Sequence, residues 1–270
     1  MLAENDVPAG PIDIHVHILP GVDDGAPDLE AAIRMAEVAA QDGIAGLVAT
    51  PHGTEWRRVG NREEFLARLD QVKAAVKAAG ISVNIYPGQE AWLGPNLLDQ
   101  LADGYAFTLN DSRYILVEVP FSHCPGETEE LTFQLLAHGY VPIMAHPERN
   151  ADLARDLDRV CRLIEMGMRF QITAGSLLGH FGPGPKAAAE RYVRHRLAHF
   201  LASDAHQPTG HRVPQLSQAR RLVETLAGPD YADLLTVINP AAAVADAELV
   251  VPEPERPHQK TFWETIGWRR

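Results

Sequence analysis

Short apolar runs alternate along the chain with longer stretches in which apolar residues recur every three or four positions, and the alternation repeats about seven times. The runs are 12–14, 46–50, 81–86, 114–119, 141–145, 170–173 and 200–203, each short and apolar enough for a strand buried on both faces. The amphipathic stretches between them are 29–41, 63–79, 127–137, 151–166, 186–197 and 216–226. In the first, Leu29, Ile33, Ala36 and Ala40 share a helical face, with Pro27 and Asp28 before it as start signals and Gly43 after it as a stop. Strand and helix in regular succession predict parallel βα units, and about seven of them can close into an α/β barrel. Past Pro240 the chain turns Ala-rich and then Pro- and charge-rich (VVPEPERPHQK), which predicts a last helix and a surface tail. One barrel domain over 1–250 and a tail over 251–270 are therefore expected, without an internal repeat.

Each apolar run is followed at once by residues able to do chemistry: His15 and His17, His52, Glu90, Glu118, His146 and Arg149, Ser176, then Asp204 and His206. In β/α barrels the loops that converge on a common mouth leave the carboxyl ends of the strands, so these residues are expected to meet there. Histidines at i and i+2 of an extended strand share a face, so His15 and His17 can hold one ion together. Asp204 and His206 repeat that spacing after the last run. In Gly21 to Gly25 (GVDDG), Asp23 and Asp24 read either as turn formers or as one turn residue and one ligand. His52 and His146 adjoin prolines, which predicts an extended backbone at both. Glu118 interrupts the run Ile115 to Pro120, where a buried carboxylate costs several kcal/mol unless it is paired or metal-bound. Packed, hydrogen-bonded histidines and a carboxylate salt-bridged to arginine are the plainer readings. Taken jointly, five imidazoles and four carboxylates without sulfur favour borderline or hard divalent ions, with Mn, Fe, Zn, Co and Mg as the candidates.

Composition narrows the setting. The 24 basic against 36 acidic side chains leave a net charge of −12, which disfavours broad capture of nucleic acid or anionic membrane. Cys124 and Cys161, the two cysteines, form neither a CxxC pair nor a Cys-x5-Arg phosphate loop, so a disulfide scaffold and cysteine-based phosphoryl chemistry are both unsupported. No apolar run nears the roughly 20 residues that span a bilayer, and the amino-terminal segment lacks the basic-then-apolar order of a signal peptide. A cytoplasmic protein is expected.

The ordered motifs DIHVHILPGVDDGA, ATPH, PGQE, EVP, AHPERN, GSLLG and SDAH resemble those of the polymerase-and-histidinol-phosphatase (PHP) superfamily, and within it the bacterial tyrosine-protein phosphatases of capsular or exopolysaccharide synthesis. The resemblance spans about residues 12 to 240. It implies a distorted (β/α)7 TIM-like barrel with three divalent ions, usually manganese, and a substrate in the phosphotyrosine-bearing tail of a membrane-associated tyrosine kinase. By motif it implies that His15, His17, Glu90 and Asp204 hold one ion, that Glu90 bridges to a second held with Glu118 and His146, and that Asp24, His52 and His206 hold a third. Arg149 and Arg212 match phosphate-binding arginines, the plainer reading of each being a surface ion pair. The chain departs from its relatives in the segment GTEWRRVGN after ATPH, and at His180, where a basic residue is common.

Three ions against four ligand carboxylates leave about two net positive charges, enough to draw a phosphate dianion into an acidic protein. Two ions roughly 3.5–4 Å apart are expected to activate a water to hydroxide for in-line attack on phosphorus, with the arginines binding the other oxygens. His206 is a candidate acid for the leaving group. The competing expectations are a small-molecule phosphatase, such as one for histidinol phosphate, and a metal-binding adaptor without activity.

Overall fold

The computed structural model describes residues 8–53 and 61–256. Strands and principal helices follow in the order β1 (Ile12–Val16), α1 (Leu29–Gln41), β2 (Gly46–Ala49), α2 (Arg62–Ala78), β3 (Asn84–Pro87), β4 (Glu90–Trp92), β5 (Tyr114–Glu118), α3 (Thr128–Ala137), β6 (Val141–Ala145), α4 (Leu157–Met166), β7 (Arg169–Thr173), α5 (Pro183–Arg194), β8 (Phe200–Ala202) and α6 (Ser217–Ala227). Shorter helices include Leu97–Ala102, Ala174–Leu178, Pro229–Asp233 and Asn239–Val244. Asp28 and Asn61 cap α1 and α2 by accepting from the backbone N–H groups of Ala31 and Glu64.

All strand pairs are parallel, in two sheets ordered β1-β2-β3 and β4-β5-β6-β7-β8. The third apolar run thus contributes β3, and a short β4 that it did not include follows, because the chain breaks its pairing at Gly88 and Gln89. Gly88 packs so tightly there that a Cβ would stand 2.6 Å from Val48 Cγ1. Single bridges join the sheets on both sides, His52 with Glu90 and Val16 with Ala205. On the second side His17 N donates to Ala205 O at 2.8 Å and Asp204 N to His15 O at 3.0 Å. Seven strand positions, the third split in two, therefore encircle an interior that isolated bridges close in place of full ladders. That is the physical content of a distorted (β/α)7 barrel.

Alternation along the strands separates two cores. Leu47, Val117, Met144, Ile172 and Leu201 face outward into the large cluster shared with helix residues such as Met35, Phe65, Val160 and Tyr192. Ile12, Ile14, Val48, Leu116, Ile143, Phe200 and Ala202 form a second cluster with Ala243 and Val244 of the last helix. This apolar plug fills one end of the barrel. One pleat further along the same faces, Leu116 gives way to Glu118 and Ala202 to Asp204, so the interior turns polar at the carboxyl ends. Strand β1 changes parity on the way, since its register shifts between Asp13 and Val16 and sets His15 and His17 toward the mouth.

Two local expectations change. Glu118 ends its strand with its side chain 16% exposed, so it is not the buried carboxylate of the barrel. Glu90 and Asp204, at 0% and 2%, are. His146 is not extended but left-handed, at φ 35° and ψ 47°. Pro147 opens a 3-10 turn over Pro147–Arg149, closed by Arg149 N donating to His146 O, and the chain must reverse at His146 to enter it. Of the expected tail, 251–256 has no regular structure, and 257–270 lies outside the described residues, as does 54–60 of the divergent segment.

Candidate metal centre

At the mouth of the barrel the side chains from all these strand ends converge on Glu90. Its Oε2 lies 3.2 Å from His15 Nε2, 3.5 Å from His17 Nε2 and 3.0 Å from His52 Nδ1, and its Oε1 lies 2.7 Å from His146 Nε2. Asp204 Oδ1 approaches the same two nitrogens of His15 and His17 at 3.5 and 3.6 Å. Asp24, exposed at the rim, reaches His206 Nε2 at 3.1 Å and His52 Nε2 at 3.5 Å. Glu118 Oε1 stands 3.2 Å from His52 Nδ1.

All nine sequence-derived ligand candidates are therefore neighbours. His15, His17 and Asp204 gather around one point, without the Glu90 expected beside them, and Asp24, His52 and His206 gather around another that His17 also reaches. Glu118 and His146 approach Glu90 from different sides, the first beside His52 and the second beside His15. The grouping anticipated for a second ion is thus divided between two clusters.

The hydrogen bonds behind the rings decide what the rings present. His15 Nδ1 is 2.9 Å from Gln171 Oε1, His17 Nδ1 is 2.7 Å from Asp23 Oδ2, and His206 Nδ1 is 3.0 Å from the Asp204 carbonyl. All three partners are acceptors, so each Nδ1 carries a proton and each ring turns its Nε2 inward, where it offers a lone pair whenever the ring is neutral. The Nε2 atoms of His15 and His17 face one another at 3.1 Å, beside two carboxylates. Lone pairs aimed at lone pairs and anions repel unless positive charge stands between them. Glu90 Oε2 and His206 Nε2 are also buried without a hydrogen bond. The residues fit divalent ions, and the nitrogen and oxygen donors suit borderline or hard ones.

The field of the protein carries the same demand. Burial opposes protonation of His17 and His52, yet Asp23 and Glu90 raise the first to about 9, and Glu118 and Glu90 raise the second to about 11. Glu90 is held well below the ordinary carboxylate range by His15, His146 and His17 despite complete burial. His206 goes the other way: burial, then the charges of His17 and Arg212, push it down to about 2. A neutral imidazole suits a ligand and not the proton donor anticipated for it.

Both candidate arginines point into the cluster. Arg149 donates to Asp204 Oδ2 at 2.8 Å with its guanidinium held between two rings, 4.4 Å over Phe121 and 4.3 Å over Phe181. Arg212 donates to Asp204 Oδ1 at 2.9 Å and lies 3.8 Å from Asp24 Oδ2. It is brought there because the backbone N–H groups of His206 and Gln207 both donate to its carbonyl, folding the loop back on itself.

Several supporting residues escaped the sequence reading. Asp23 does more than form a turn: besides gripping His17 it accepts from His52 N and Gly25 N. Gly25 itself lies so close to the His17 backbone that a Cβ would stand 2.2 Å from its carbonyl oxygen. Gln171 had a visible signal, a polar residue inside the buried strand β7. Glu148 ties the His146–Arg149 turn to β7 by accepting from Thr173 N and Ser176 Oγ. Removing an outer partner of a ligating histidine lowers metal affinity by about 10–100-fold. Gln171→Leu and Asp23→Asn are expected to do so in calorimetric titration with Mn2+; unchanged affinity would reduce both contacts to packing.

A family model described as capsular polysaccharide synthesis, CpsB/CapC, matches residues 11–245. The chain is 40% identical over 195 residues to the tyrosine-protein phosphatase YwqE of Bacillus subtilis (strain 168), covering 72% of this chain and 77% of that one. It is 29% identical over 240 residues to the tyrosine-protein phosphatase CpsB of Streptococcus pneumoniae, covering 87% and 98%. A structure from the study of YwqE and CpsB, described there as metal-dependent tyrosine phosphatases, superposes with a TM-score of 0.86 at 35% identity over 92% of this chain and all of that one. The lactonase Lmo2620 of Listeria monocytogenes, at 12% identity and a TM-score of 0.56, shares the fold alone.

Proposed function

This chain belongs to the CpsB/CapC family of capsular polysaccharide synthesis, and we propose that it acts there as a metal-dependent protein-tyrosine phosphatase. One observation carries the metal dependence: the inward lone pairs of His15 and His17, 3.1 Å apart against Glu90 and Asp204 in a buried site. The relatives supply the tyrosine. His15, His17, Asp24, His52, Glu90, Glu118, His146, Asp204 and His206 would hold three divalent ions, with Mn2+ the favoured metal. Residues 1–250 work as one barrel domain. The substrate is the phosphotyrosine-bearing tail of a membrane-associated kinase, met from the cytoplasm; no helix among the described residues is long and apolar enough to cross a membrane.

When bound, divalent ions supply the charge that draws in a phosphate dianion and the acidity that makes water a nucleophile at neutral pH. Arg149 and Arg212 bind the non-bridging phosphate oxygens and meet the charge that grows on them. The two rings that sandwich Arg149 keep its fork from swinging away between turnovers. Cys124 and Cys161 are both buried, so neither is offered as a nucleophile. A tyrosinate leaving group, whose parent phenol has a pKa of about 10, needs little acid assistance.

The test is hydrolysis of p-nitrophenyl phosphate and of a phosphotyrosyl peptide by Mn2+-loaded full-length protein. Activity is expected to vanish with chelator, to return with Mn2+, and to be absent from His17→Ala. Intact substrate after metal loading would leave an adaptor, and faster turnover of histidinol phosphate would move the substrate to a small metabolite.

A further inference from the structure

We infer that Phe121 is a specificity-determining residue, the platform on which the phenyl ring of the substrate's phosphotyrosine lies. The inference rests on the phosphatase reading and names the feature that separates an aromatic phosphoester from an aliphatic one. A phosphotyrosine is a dianion joined through a single ester oxygen to a flat apolar ring. A site selective for it needs an anion-binding floor and, at the depth of that ring, an apolar face.

Phe121 has the required position. It follows Glu118 by three residues, at the mouth of the barrel, with its ring centroid 5.1 Å from that of His146 and 4.4 Å from Arg149 Cζ. An ester whose phosphate is held by Arg149 must therefore carry its organic group past Phe121. The residue is 47% exposed amid charged side chains, an apolar surface left bare beside an anion site. Phe181 stacks on Arg149 as well, with Cζ 4.3 Å from its ring centroid, and Phe121 still keeps nearly half of its surface open.

The platform is rigid, and its rigidity comes from the segment that carries the arginine. Asn150, buried at 2%, donates from Nδ2 to the carbonyls of Pro120 at 2.7 Å and His123 at 2.8 Å. Ala151 N donates to Phe121 O at 2.8 Å. The loop is thus pinned on both sides of Phe121 to the two residues after Arg149, so backbone contacts set the spacing between phosphate floor and aromatic face. A face held ready in this way loses little entropy when a ring settles on it. A phosphoseryl group offers no ring and leaves Phe121 bare.

The experiment uses the Mn2+-loaded full chain, with phenylphosphonate and methylphosphonate as non-hydrolysable competitors of phosphotyrosyl-peptide turnover. Wild type is expected to bind phenylphosphonate about tenfold more tightly than methylphosphonate, a preference in the range of one aromatic stacking contact. Phe121→Ala should reduce that preference to within about twofold and raise KM for the peptide, weakening phenylphosphonate by more than the loosening of Arg149 weakens methylphosphonate. Phe121→Tyr should restore it, and Phe121→Leu, which still packs under Arg149, should not. Equal weakening of both phosphonates overturns the inference, since Phe121 would then act only by holding Arg149. An unchanged preference overturns it as well. Wild-type protein without activity on the peptide overturns the phosphatase reading, and the inference falls with it; an active wild type whose Phe121→Ala variant still prefers phenylphosphonate overturns the inference alone.

Discussion

Glu90→Gln is expected to lower kcat by about a thousandfold or more and to reduce bound metal at the same time, because a lost ligand charge removes several kcal/mol of Lewis-acid stabilisation. Its two oxygens lie within 3.5 Å of nitrogens on four histidines, His15, His17, His52 and His146. Glutamine keeps the shape, removes the charge and turns one oxygen into a donor facing rings that are themselves donors or cation ligands. Four imidazoles then converge on a neutral group at full burial, where unpaired positive charge is expensive. Elemental analysis of the purified variant beside steady-state kinetics reads both effects. Glu118→Gln is the control of the same chemistry. Its carboxylate is 16% exposed and, among the described residues, pairs with His52, so its loss should be about 10–100-fold. A Glu90→Gln protein within tenfold of wild type, with full metal content, would remove Glu90 from the centre of the mechanism.

Arg149→Met should reduce kcat/KM by about 100- to 1,000-fold, the range for losing one preorganised donor to transition-state charge. Methionine preserves much of the apolar stem between Phe121 and Phe181, which separates lost charge from lost packing. Arg149→Lys should recover only part of the activity, since an ammonium neither stacks between two rings nor grips two oxygens of one phosphate at once. Arg212→Met should be about tenfold milder than Arg149→Met. Its side chain is 30% exposed against 17% for Arg149, no aromatic ring stacks on it among the described residues, and water can replace more of what it supplies. Phosphotyrosyl-peptide kinetics on the three variants decide the ranking. A lysine as active as the native arginine would reduce Arg149 to a diffuse positive charge.

Much of this arrangement was legible in the chain. The succession of apolar runs and amphipathic stretches carried the βα order, because strands buried on both faces must be apolar throughout while helices need only one apolar stripe. The placing of His15, His17, His52, Glu90, His146, Asp204 and His206 just past those runs pointed to one mouth, since parallel strands bring their carboxyl ends to the same side. Spacing alone misjudged Glu118, because a run of apolar letters does not reveal where a strand stops and solvent begins. It also misjudged His146, where proline's usual restriction on the preceding residue yields to a turn closed by that residue's own carbonyl.

The sequence by itself determined the alternation of elements and the end of the barrel at which the candidate donors would meet, because both follow from local periodicity and chemistry, while only the family motif told Asp24 from Asp23. Only the tertiary structure decided which groups stand behind the donors. Gln171 reaches His15 across 156 positions, and Asn150 braces the loop of Phe121 across about 30. A hydrogen bond across a barrel depends on how strands twist and close, which no local pattern records. The inward Nε2 atoms of His15 and His17, and with them the demand for positive charge between them, exist only once Gln171 and Asp23 accept from the two Nδ1 atoms.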